Sequence, residues 1–177
     1  MTDYSSERYS PSFPMCGRFA LSFDGSNLHF TGGSRTYTYP AVSGTPINGR
    51  FDYSPARQRV RGKGPIPVGV YWVRPDELDD NLANTYLMPG FERSWGRYRL
   101  SIHPFPTTIT HSRGGFFIHG GTVAGSAGCI DLVREIDRFA EDLKREGLEG
   151  RRCQIHLTVQ YPVLGDFPAP PSGLRAV

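Results

Sequence analysis

A chain of 177 residues, 38% hydrophobic and 21% charged, is long enough for one domain with its own core and short for two. A net charge of +3, from 20 basic and 17 acidic residues, is too mild for a nucleic-acid partner, and no run of ~18 apolar residues is present to cross a membrane. The 21 Gly and 15 Pro exceed ordinary usage of roughly 7% and 5%, which predicts many turns between short strands and so a mainly β fold.

Residues 1–17 are polar, carry Pro and Ser, and read as an arm. They hold no apolar core of signal-peptide length, so the expectation is a protein made in the cytoplasm without a general export signal. A domain is expected over residues 18–161. Its first strands are Phe19–Phe23, Leu28–Phe30 and Thr36–Tyr39, separated by Asp24-Gly25-Ser26-Asn27 and Gly32-Gly33-Ser34, a hairpin pattern. A basic, turn-rich insertion covers Asn48 to Lys63, and Val70-Tyr71-Trp72-Val73 is the next β-prone run. Between Arg74 and Gly96 there is little periodicity, as in a surface excursion or lid. Arg97–Ile102 alternates as a strand with one wet face, and Phe116-Phe117-Ile118 is a short apolar strand ending at His119. Leu132, Ile136, Phe139, Ala140 and Leu143 recur at spacings of three and four, predicting one amphipathic helix over 131–146 with Gly147 as its stop. Cys153–Val159 alternates as a last strand, and the Pro-rich residues 162–177 form a tail.

The chemistry concentrates in 116–131, Phe-Phe-Ile-His119-Gly-Gly-Thr-Val-Ala-Gly-Ser126-Ala-Gly128-Cys129-Ile-Asp131. A buried strand delivers an imidazole, a loop of small residues follows, and a thiol stands before the predicted helix. A helix start favours a thiolate through its unpaired N–H groups and dipole. An imidazole in reach completes a Cys/His acyl-transfer pair, with the N–H groups of Gly128 and Cys129 as oxyanion donors. Ser126 either adds a hydroxyl to that site or tightens the turn. A small buried thiol and a structural imidazole would fit the same residues. Three cysteines cannot all pair; Cys16 and Cys153 either join in an oxidising space or stay free.

The pattern resembles L,D-transpeptidases of the YkuD type, which carry a His followed by Gly, a variable loop, then Ser-His-Gly-Cys and a short helix. The matching pieces are His119-Gly120 and Ser126-Ala127-Gly128-Cys129, with Tyr39-Pro40-Ala41-Val42-Ser43-Gly44 and Pro67-Val68-Gly69-Val70-Tyr71-Trp72 upstream, together spanning roughly 19–159. Ala127 stands where the motif has His, and Ile130-Asp131 replaces the usual arginine. Gly-Cys-Ile, with the run Gly64-Pro65-Ile66-Pro67, is more similar to a smaller branch, the L,D-transpeptidase-like antibacterial effectors delivered by type VI secretion. The resemblance implies a β-sandwich or barrel-like YkuD-type sheet with one main helix after the cysteine. It implies Cys129 as nucleophile and His119 as base, oriented by a backbone carbonyl such as that of Gly120, with no metal or other cofactor. The implied substrates are peptidoglycan tetrapeptide stems, trimmed (L,D-carboxypeptidase) or exchanged and cross-linked (L,D-transpeptidase) through a Cys thioester. The implied site of action is the periplasm of a target bacterium, and the implied partners are a secretion-apparatus component and a cognate immunity protein.

Tyr71, Trp72, Tyr86 and Trp95 are candidates to line the groove, and Arg97 and Arg99 to hold a stem-peptide carboxylate; core packing and a solvated strand face are their ordinary fates. His103 and His111 show no partner pattern, and His156, alternating with apolar neighbours, reads as structural. Three rivals remain. One is an NlpC/P60-like peptidoglycan endopeptidase or amidase, whose cysteine precedes its histidine and which His156 would serve. The others are an inactive cell-wall-binding module and a zinc site on His119 and Cys129, short of the four ligands a closed structural site needs.

Overall fold

A computed structural model of the chain describes residues 11–81, 87–88 and 94–162. Its strands are β1 (Met15–Phe23), β2 (Asn27–Thr31), β3 (Tyr37–Pro40), β4 (Val42–Ser43), β5 (Gly69–Val73), β6 (Asp79–Asp80), β7 (Tyr98–Pro104), β8 (Phe116–His119), β9 (Ile130–Asp131) and β10 (Gln154–Val159). Two α-helices accompany them, the single-turn α1 (Pro55–Gln58) and the longer α2 (Ile136–Arg145). The strands form one sheet in the order β3-β2-β1-β10-β5-β7-β8-β9-β4, with β6 on the side against β7. The two ends of that order, β3 and β4, are separated in the chain only by Ala41, so the sheet curls back on itself into a nearly closed barrel. The mainly β, barrel-like fold with one main helix is therefore the one observed.

The hairpins form where the turn chemistry requires. Asp24 Oδ1 accepts the N–H groups of Ser26 and Asn27 at 2.8 and 2.7 Å, and Gly25 takes φ +95°, a conformation that strains residues with a Cβ. β1 pairs antiparallel with β2 and parallel with β10. It begins at Met15, inside the stretch expected to be an arm. The reason is covalent as well as apolar: Cys16, 1% exposed, is disulfide-bonded to Cys153 just before β10. Phe13 also packs beside Trp72, at 6.4 Å between centroids.

α2 lays Ile136, Phe139, Ala140 and Leu143 on the core. Phe139 meets the rings of Tyr39 and Phe30 edge-on, and Tyr39 OH donates to Asp142 at 2.8 Å. The helix is shorter than the expected 131–146. Residues 130–131 are a strand, and Val133–Glu135 form a 3₁₀ turn. Val133 sits at φ +51°, which a β-branched residue in an α-helix never adopts. Asp131 Oδ1 takes the Val133 N–H at 2.8 Å, so the side chain competes with the helical ladder and postpones it. The apolar period of 132–143 was a sound guide to burial but not to where the helix starts.

Candidate active site

β8 carries His119 to its end, where the ring is 3% exposed. A Cβ on the next residue, Gly120, would lie 2.4 Å from Ile136 Cγ2 and 2.5 Å from Val133 O; only glycine lets the chain turn so close to α2. The Gly120 carbonyl accepts a hydrogen bond from His119 Nδ1 at 2.7 Å. A carbonyl can only accept, so Nδ1 carries a proton, and in the neutral tautomer that this contact selects, the lone pair is on Nε2. Trp95 lies beside the imidazole, with ring centroids 5.1 Å apart, and its carbonyl takes the Gly120 N–H at 3.1 Å.

Cys129 immediately precedes β9, which runs parallel to β8 with Ile118 opposite Ile130 and His119 opposite Asp131. Side chains alternate along a strand, so Cys129 and Asp131 share the face on which His119 projects from the neighbouring strand. The sulfur donates weakly to the Gly115 carbonyl at 3.9 Å. Burial pushes the thiol up to about 12; the Phe117 N–H and Arg113 work against that rise, and Asp131 adds to it. This corrects the expected helix-start thiolate. α2 begins only at Ile136, too far along for its dipole, which fades within the first turn, to act on Cys129. At neutral pH the sulfur is a thiol and needs a base to become a nucleophile.

Three residues of the site escaped the sequence reading: Asp131, Arg113 and Arg61. Asp131, fully buried, accepts from Val133 N and, through Oδ2, from Gly125 N at 2.9 Å. It thereby clamps both ends of the loop that presents Cys129. Burial raises its pKa, while His119 and the two N–H groups oppose the rise. Arg113, from the β7–β8 loop, is 7% exposed. Its Nη1 donates to the carbonyls of Gln58 and Pro65, and its Nη2 to those of Gly64 and Ala127. Asp131 had a readable signal, a short acceptor two residues after the cysteine; Arg113 had none.

Ser126 is a brace of the turn. Its hydroxyl donates to the Cys129 carbonyl at 2.7 Å and accepts from Gly44 N at 3.3 Å and Gly128 N at 3.4 Å. The Gly128 N–H is thus directed at Ser126 Oγ. His119, Cys129, Ser126, Ala127, Trp95, Arg61 and Arg113 all open on one cleft of about 990 Å³, the size of a small-ligand site. The basic, turn-rich insertion Asn48–Lys63 supplies Arg61 and Gly62 to its wall.

The other expected lining residues lie elsewhere. Tyr71 and Trp72 are fully buried; Tyr71 OH is held by the Pro67 carbonyl, and Trp72 stacks on His103. As neighbours on β5 they point to opposite faces, Tyr71 into the core and Trp72 against Phe13 and His103. Arg97 and Arg99 are ion-paired to Asp80 and Asp79, because the edge strand β6 lies along β7, and neither lines the cleft. Tyr86 lies outside the described residues. His103 is bonded to Glu77 at 2.6 Å, and His156 packs edge-on against Phe105; neither lines the cleft, which leaves the Cys-before-His rival without its histidine.

A family model described as "Tlde1 domain" matches residues 38–153 of the chain, a stretch that holds His119, Cys129, Asp131 and Arg113. Among solved structures, that of Bdellovibrio bacteriovorus Bd1075 is similar over 84% of this chain, at 13% sequence identity and a TM-score of 0.48. The chain covers 48% of that protein's length. No curated protein matches the chain.

Proposed function

Because the chain belongs to the Tlde1 domain family, one of type VI secretion effectors with peptidoglycan-related activity, we propose that it is a cysteine-dependent enzyme acting on peptidoglycan tetrapeptide stems. The observation that carries this reading is that a thiol and an imidazole whose Nδ1 is held by a backbone carbonyl line one cleft. His119 Nε2 takes the Cys129 proton as sulfur attacks the carbonyl between the third and fourth stem residues. The proton passes to the departing amine, D-Ala leaves, and a thioester remains on Cys129. Water then gives a tripeptide, or a D-amino acid or stem amine gives an exchanged or cross-linked product. A thiol that is protonated at rest suits this order, since it limits side reactions until a substrate and the base act together.

Stem peptides carry free carboxylates, and the cleft offers Arg61 for one of them. This exposed cation is bonded only to the Ser112 carbonyl at 2.9 Å among the described residues; it replaces Arg97 and Arg99 in that role. The Cys16–Cys153 disulfide supports action in an oxidising space such as the periplasm of a target cell. A secretion-apparatus component and an immunity protein that occupies the cleft belong to the same reading.

Mass spectrometry of tetrapeptide muropeptides incubated with the protein tests it. Release of D-Ala by the native chain and none by Cys129→Ala is expected. Equal turnover by the variant, or cleavage between the second and third stem residues, would refute the assignment. Export to the periplasm should lyse or swell cells with the native chain only.

A further inference from the structure

A buried guanidinium is unfavourable unless a counter-charge or full hydrogen bonding offsets it. Arg113 has the hydrogen bonds but no ion-paired carboxylate among the described residues. The groups that act on its charge are Tyr71, Tyr161 and Cys129. Holding carbonyls alone does not require a cation, because a neutral amide donates to carbonyls without the desolvation of a charge. The place where this charge is held is therefore informative. Three of its acceptors, Gln58, Gly64 and Pro65, lie on one segment, and the fourth, Ala127, belongs to the loop of Cys129. Gly128 admits it: at φ +118°, a Cβ there would lie 2.4 Å from Arg113 Nη2. The guanidinium thus packs on the backbone immediately before the nucleophile.

We propose that Arg113 is a positioning residue for Cys129, whose permanent charge offsets the negative charge that develops on the sulfur as His119 takes its proton. This rests on the cysteine-nucleophile reading above. The charged or titratable groups around Cys129 are Asp131 and His119 on the paired strands and Arg113 from the opposite loop. Asp131 disfavours a thiolate, so Arg113 and the Phe117 N–H are what favours one. Being buried, the charge is little screened by salt. It fills the place that the expected helix dipole leaves vacant.

The test is the pH dependence of Cys129 alkylation in the native chain, R113Q and R113K, with folding followed by circular dichroism. Both variants keep N–H donors, and they differ in charge. In R113Q the alkylation profile should move up by at least about one pH unit, slowing the reaction ~10-fold at a fixed pH below the midpoint; R113K should recover most of that loss. Native chain alone gives a second readout: the rate ratio of iodoacetate to iodoacetamide, normalised to free cysteine, should exceed one and persist in high salt. A profile unchanged in R113Q, or displaced equally in R113K, overturns the proposal, as does a native ratio at or below one if the variants do not fold. Cys129 alkylation that leaves D-Ala release intact would instead sink the nucleophile reading itself.

Discussion

Reducing the Cys16–Cys153 bond should cost the fold several kcal/mol. The bond joins the start of β1 to the residue before β10, strands that pair in parallel, across a sequence separation of 137. In the chain-entropy treatment, a loop of that length removes about 17 cal/mol/K from the unfolded ensemble, or ~5 kcal/mol at 25 °C. Measured effects centre on roughly 2–4 kcal/mol, set against a total stability of about 5–15 kcal/mol. Both sulfurs are buried, at 1% and 5% exposure, so the reduced thiols gain little hydration while the chain stays folded. For a domain of this size, each kcal/mol moves the midpoint by about 2–4 °C. Thermal melts followed by circular dichroism, with and without dithiothreitol, should therefore differ by roughly 5–15 °C, and the Cys16→Ser/Cys153→Ser double variant should melt with the reduced chain. Identical melts for the oxidised and reduced native chain would show that this bond does not constrain the unfolded state. A drop in the native chain that the double variant, insensitive to reductant, does not reproduce would trace the loss to another cause.

The burial of Cys129 makes a pH-dependent contribution to stability. Its folded pKa lies above the ordinary value, pushed up to about 12, so the contribution is whole below about pH 8.5 and lost as pH rises toward the folded value. The unfolding free energy of the native chain relative to Cys129→Ala, from urea titrations, should fall by ~2 kcal/mol between pH 8 and 10; a difference independent of pH would contradict the burial. Asp131→Asn turns one acceptor into a donor facing either Gly125 N or Val133 N, an unsatisfied contact of about 1–3 kcal/mol. It should lower D-Ala release at least ~10-fold by loosening the loop of Cys129, and release at the native rate would remove Asp131 from the site. Arg61→Met should raise KM for tetrapeptide muropeptides several-fold with kcat little changed, an effect that weakens with added salt; a fall in kcat alone would place Arg61 in a different role.

How much was legible in the sequence depended on whether the information was local. Turn chemistry at Asp24-Gly25 and alternation along β1, β7 and β10 fixed the strands, and Phe116-Phe117-Ile118 running into His119-Gly120 fixed the end of β8. The Gly120 carbonyl as partner of His119 followed from the family resemblance, and a backbone contact between adjacent residues is local by nature. What lay beyond the local pattern went astray. Amphipathic spacing over 131–146 could not reveal that Asp131 would turn its carboxylate onto Val133 and Gly125, hold residues 130–131 as a strand, and delay α2. The supposed helix-start thiolate fell with it. Aromatic and basic residues near the motif, such as Tyr71, Trp72, Arg97 and Arg99, look alike in one dimension whether they face a core, an ion pair or a cleft. Only closure of the sheet, which brings β4 to β9 and the 58–65 segment against the Cys129 loop, decides which residues share a site. That is why Arg61 and Arg113, which the sequence reading did not name, are at the cleft beside the expected Trp95: contacts between distant segments are set by packing, and no single stretch of chain encodes them.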